Sequence, residues 1–117
     1  MTMEIEVEES GPGLRWLGLD GRLDMKGALL IDTRFTALTA PFAGTVIVDL
    51  ARVDFIASIG MRLLLSNAKA MANRGGRMLL CGGSETLRDA LSSAGIDVLI
   101  PLCADREAAL ALAGQEG

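Results

Sequence analysis

Ser58 is the residue of this chain whose type and setting most invite chemistry. It lies in the stretch VDFIASIGMRLLL, Val53 to Leu65, where a loop turns into a helix, with Gly60 two residues on and a long apolar helical face behind it. Nucleophilic catalysis by such a serine needs a base to take its proton, usually a histidine, and the chain has none. The G-x-S-x-G elbow of strand-to-helix nucleophiles is missing too, because Ile56 and Ala57 precede Ser58. Lys69 remains as a base in principle, but three helical turns separate it from Ser58. A serine hydrolase is set aside on both residue type and reach.

Other chemistries fare no better. The stretch CGGSET, Cys81 to Thr86, puts glycines ahead of a helix N-terminus, where a phosphate could be cradled. The Walker sequence and a G-x-G-x-x-G after a strand are both absent, so Gly82-Gly83-Ser84 reads as a tight turn followed by a cap. Asp49 and Asp54 flank a strand end as metal-binding or phospho-accepting aspartates do, without the further acidic pair and lysine that such chemistry uses; Asp54 reads as a solvated loop residue. Cys81 and Cys103 fit no metal-ligand spacing and are expected as reduced thiols, Cys81 in the core. No catalytic residue, metal site or cofactor is expected.

Two roles remain for Ser58. It could be only an N-cap, satisfying free N–H groups of the first helical turn. It could also carry a charge that is added and removed. Spacings of four, four and three place Ser58, Arg62, Ser66 and Lys69 on one stripe, with Leu65 and Ala72 at its edge, while Met61, Leu64, Ala68 and Met71 form the opposite, buried stripe. Ser58 is then exposed beside Arg62, Leu65 and Lys69, with Leu65 as an apolar anchor for a partner. A phosphate on that hydroxyl is tolerated by the helix dipole.

The elements that must hold this helix follow from the patterning. Ile5 and Val7 alternate with Glu4, Glu6 and Glu8, which reads as a half-buried strand suited to a sheet edge. A second strand runs Leu14 to Asp20, closed by Gly21, and Asp24 caps a helix over Met25 to Thr39 that Pro41 ends. The strands TVIVDL, RMLLC and DVLI then alternate with amphipathic helices: the Ser58 helix ending near NRGG, SETLRDALSSAG capped by Ser84, and DREAALALA. The expectation is an α/β domain, a small mixed sheet covered by about four helices, which opens with antiparallel strands.

Composition bounds the rest. The 117 residues, half of them hydrophobic, suit one domain over residues 1–117, with residues 114–117 as a flexible tail. A net charge of -4, with lysine and arginine scattered, argues against nucleic acid and favours a partner with a basic surface. The acidic N-terminus is the reverse of a secretory signal, and no apolar run approaches the roughly 20 residues of a membrane helix, so a cytoplasmic protein without membrane contact is expected.

These residues resemble the STAS domain family, and within it the free-standing anti-sigma factor antagonists. The resemblance runs from the GRLD turn through VIVDLARVDFIASIGMRLLL and GGRMLLCGGSETLRDALSSAGID to REAALALA. Its most specific part is a hydrophobic strand, Asp49-Leu50, then Asp54-Phe55-Ile56-x-Ser58-x-Gly60 leading into a leucine-rich helix. The resemblance implies partner switching. An unphosphorylated antagonist binds an anti-sigma factor that is itself a GHKL-type serine kinase, phosphorylation of the motif serine ends the binding, and a metal-dependent serine phosphatase restores it. By that motif the phosphoacceptor is Ser58. The partner surface is expected to include Asp24, Asp54, Ala57, Ile59, Gly60, Arg62, Leu65 and Lys69. The chain departs from the family at Ala57-Ser58-Ile59, where many antagonists carry Asp-Ser-Ser or Asp-Ser-Thr. A small-molecule or nucleotide sensor using the Asp54 to Gly60 loop or CGGSET, and a scaffold subunit, are the alternative readings.

Overall fold

The structure, a computed structural model, describes residues 3–115. Five strands form one sheet in the order β1-β2-β3-β4-β5: β1 Glu4–Glu9, β2 Leu14–Leu23, β3 Thr45–Ile56, β4 Arg77–Cys81 and β5 Leu102–Cys103. Strands β1 and β2 pair antiparallel, and every later pair is parallel. As the alternating glutamates suggest, β1 is an edge strand. The helices are α1 Met25–Thr39, α2 Ser58–Asn73, α3 Glu85–Ser93, the four-residue α4 Ile96–Leu99, and α5 Arg106–Gly114.

Strand alternation sorts the core into two layers. Leu17, Leu19, Val46, Val48, Leu50 and Leu80 point to the face covered by α1 to α4, where Phe35, Leu64, Met71 and Leu91 complete the main core. The other face has a smaller cluster of Trp16, Ile47, Leu79 and Cys81 under Ala109 of α5. Burial pushes the Cys81 thiol up to about 12, and Cys103, half-buried beside it in register, is raised for the same reason. Both thiols are free.

Three expectations need correction. The run DVLI is not a strand: Gly95, at φ +78, ends α3, and the chain then closes the single turn α4 before the short β5. Only Ile96 and Ile100 are buried there, while Val98 and Leu99 are 83% and 60% exposed. Strand β2 does not stop at Asp20 but continues through Gly21 to Leu23, alongside a β3 that reaches Ile56, so Asp54 belongs to a strand and not a loop. The buried arc of α2 is Gly60, Leu63, Leu64, Asn67 and Met71, with Met61 and Ala68 only half-buried. The helix is rotated because it packs against α1 as well as the sheet. Asn67 is accommodated by donating its side-chain amide to the Leu63 carbonyl one turn back, at 2.9 Å. Of the expected tail, Gly114 closes α5, and residues 116–117 lie outside the described residues.

Candidate functional site

The ends of β2 and β3 build the site. Leu23 and Ile56 are the last residues of the two parallel strands and lie side by side, and each strand then turns into a helix on the same face of the sheet. The two turns are tied together where the Ala57 N–H donates to the Leu23 carbonyl at 3.0 Å. This brings the GRLD corner, which carries Asp24, against the Ala57-Ser58 corner, although 34 positions separate Asp24 from Ser58 in the chain.

Gly60 makes that approach possible. A Cβ at Gly60 would stand 2.6 Å from the Leu23 carbonyl oxygen and 2.7 Å from its side chain, closer than any real contact. Gly60 is itself buried, so it is a packing position and not part of an exposed partner surface as expected from sequence.

A bulge turns the neighbouring side chains outward. The β2–β3 register steps from Gly21↔Val53 to Arg22↔Phe55, leaving Asp54 as the extra residue on β3. Val53 and Ile56 stay buried while Asp54 and Phe55 both face outward. Phe55 is 40% exposed, and the Arg22 guanidinium stacks 4.4 Å from its ring centre.

Asp24 caps α1: its Oδ1 accepts from the Gly27 N–H at 2.8 Å, and Oδ2 is 3.5 Å from Arg22. The Gly27 bond, aided by Arg22, holds the Asp24 carboxyl below its ordinary value. On the outer side of α1, Met25 and Leu29 are each 64% exposed. A groove of about 240 Å³ separates α1 from α2, with Leu29 and Asp32 on one wall and Ile59, Arg62 and Ser66 on the other.

Ser58 is not the cap of α2. The N-cap is Ala57, extended at φ -101 and ψ 172, and no side chain caps this helix, whereas Asp24, Ser84 and Asp105 cap α1, α3 and α5. Ser58 is the first helical residue, exposed, on a helix whose first-turn N–H groups no cap has claimed. Arg62 and Lys69 are exposed along the same helix, while Leu65 is half-buried and packs against the main core. Lys69 is about 16 Å further along the axis than Ser58, so it extends the stripe without adjoining the serine.

The rival sites are occupied by structural work. At CGGSET, Gly82 and Gly83 take positive φ, and the Ser84 hydroxyl accepts from the Leu87 N–H at 3.1 Å, which is a turn and a cap. Asp49 accepts from the Trp16 indole at 3.1 Å and from the Ala51 N–H at 2.9 Å. Sequence reasoning missed Arg22, Met25, Leu29 and Phe55 as parts of the surface. A phenylalanine three residues before the serine was the one visible signal.

The profile of the STAS domain matches residues 4–109. A protein of Bordetella bronchiseptica named as an anti-sigma factor antagonist, BtrV, is 29% identical over 93 residues, covering 80% of each chain. Among solved structures, an anti-sigma factor antagonist from Mycobacterium paratuberculosis superposes with a TM-score of 0.85 at 21% identity, over 97% of this chain and 95% of that one. The antagonist SpoIIAA in its unphosphorylated form gives 0.75 at 22% identity, over 97% and 100%. These two likenesses establish the fold, and the profile, running through the Leu23 corner and the Ser58 helix alike, places the chain in the STAS domain family.

Proposed function

We propose that this chain is an anti-sigma factor antagonist, a binding protein and not an enzyme, whose partner is a GHKL-type serine-kinase anti-sigma factor. The observation that carries the reading is Ser58 itself: exposed, at the first position of an uncapped helix, next to an exposed apolar surface of Met25, Leu29 and Phe55. The relative BtrV, named as an antagonist, supports it.

The unphosphorylated surface binds the kinase across the α1–α2 groove, with Asp24, Asp54, Ala57, Ile59, Arg62, Leu65 and Lys69 on or bordering the contact. The kinase transfers the γ-phosphoryl group of ATP to the Ser58 oxygen; the hydroxyl proton passes to a base of the kinase and ADP leaves. The phosphate then has to be desolvated within the interface, and taking such a charge out of water costs several kcal/mol. A metal-dependent serine phosphatase removes it. No described helix is long and apolar enough to cross a membrane, which accords with a cytoplasmic role. Incubating the protein with the candidate kinase and labelled ATP, then mapping the phosphate by mass spectrometry, tests the assignment: label on Ser58 and its loss in Ser58→Ala support it, and label elsewhere or none refutes it.

A further inference from the structure

We infer that Arg62 is the internal counter-ion of phosphorylated Ser58, so that phosphorylation withdraws a cation from the partner surface while adding an anion to it. The inference rests on the reading of Ser58 as phosphoacceptor and adds a residue that reads the phosphate within the same chain.

Ser58 and Arg62 are four residues apart in α2, and both are exposed. At that spacing on a helix the Cβ atoms lie about 5–6 Å apart, so the guanidinium reaches a phosphate on the preceding turn without backbone movement. The order is the favourable one, with the anion toward the N-terminus and the cation toward the C-terminus. Arg62 is also free to move: among the described residues it has no carboxylate within 4 Å, although Arg15, Arg22, Arg52 and Arg106 each have one. Asp32, across the groove that Arg62 lines, is the carboxylate that would compete for it, and no such pair forms. From the adjoining corners, Arg22 is engaged with Asp24 and Phe55, and Asp54 contributes an exposed negative charge.

Two features make the capture local. Ala57 puts no carboxylate at the N-cap to repel a phosphate or to take up the first-turn N–H groups. Arginine meets a phosphate in a two-pronged geometry that lysine cannot reproduce. In the unphosphorylated protein Arg62 stands on the groove wall next to Ile59, available to an acidic group of a partner. Once phosphorylated, the same guanidinium turns one helical turn back, and the groove loses its cation.

The test installs phosphoserine at position 58 during translation, so that neither kinase nor partner is involved, and follows the phosphate by phosphorus NMR against pH. With Arg62 present, the second ionisation of the phosphate falls below that of the Arg62→Gln protein by about half a unit or more. Arg62→Lys recovers part of the difference, and 1 M salt reduces it. Lys69→Gln serves as a control for the general field and leaves the ionisation unchanged. Equal values in the parent and Arg62→Gln proteins overturn the inference, as does an equal shift from Lys69→Gln. Because no kinase takes part, this result stands apart from the labelling experiment, whose failure would instead remove Ser58 as acceptor.

Discussion

At Ser58 the helix begins without a side-chain cap, and this separates the roles of Ala57, Ser58 and Gly60. A serine at the N-cap would cost about 1 kcal/mol to replace with alanine, but at the first helical position no cap is lost. Ser58→Ala should therefore change stability by no more than about 0.5 kcal/mol, measurable by urea unfolding. The cap that is missing can be supplied one residue earlier. Ala57→Asp should stabilise the domain by about 1 kcal/mol, raising its Tm by about 4 °C, while changing the rate at which a cognate kinase accepts Ser58. Identical rates in both forms would make Ala57 neutral for recognition. Gly60→Ala should do the opposite of a cap, since its new methyl group meets the Leu23 carbonyl, with a loss of about 1–3 kcal/mol that melting would reveal. Asp24 gives a pH dependence with a definite sign. Its folded carboxyl lies below the ordinary value, so the stabilisation is present above about pH 4 and is lost as pH falls through the folded value. Protection of the Gly27 N–H against hydrogen exchange, taken relative to the unfolded-chain rate at the same pH, should fall only in that acid range.

The helix α2 divides its apolar residues between core and surface in a way that two substitutions can expose. Leu64 is fully buried, and Leu64→Ala should cost about 2–5 kcal/mol through the cavity it leaves. Leu65 is half-buried, so Leu65→Ala should cost only about 1 kcal/mol in unfolding while weakening partner binding. Equal losses of stability would mean that Leu65 is a core residue and no anchor. The existence of this helix, its start at Ser58 and its exposed stripe were legible because a 3.6-residue period over sixteen residues is a strong signal. Its exact rotation was not, since burial depends on α1 as a neighbour, and Asn67 becomes a core residue through a bond to its own helix. The run DVLI misled for the opposite reason. Three apolar residues in a row suit either a strand or a turn of helix, and only the reversal at Gly95 decides. The Asp54 bulge was equally hidden, because strand alternation assumes an unbroken register, and with it went the outward placement of Phe55.

Across the whole molecule, the site is made by topology and not by any one stretch. Two parallel strands end together, the corners that carry Asp24 and Ser58 are tied where the Ala57 N–H donates to the Leu23 carbonyl, and two helices leave side by side with a groove between them. The GRLD corner could be named from the family resemblance, but its contact with the Ser58 corner needed the β2–β3 pairing. The thiols report on the far side of the sheet. Native Cys103 should react with an alkylating agent before Cys81, and alkaline destabilisation should set in above about pH 9, where an unfolded thiol ionises, and grow as pH rises toward the folded value of about 12 for Cys81. Neither effect should touch partner binding. That binding is where the role of Ser58 is decided, by calorimetric titration of the proposed serine-kinase anti-sigma factor with the parent protein, Ser58→Ala, Ser58→Glu and the form carrying phosphoserine at position 58. The parent and Ser58→Ala should bind alike, Ser58→Glu about tenfold more weakly or worse, and the phosphorylated protein at least about a hundredfold more weakly, with all four folded. Equal affinity across the alanine, glutamate and phosphorylated forms would contradict a charge switch at Ser58.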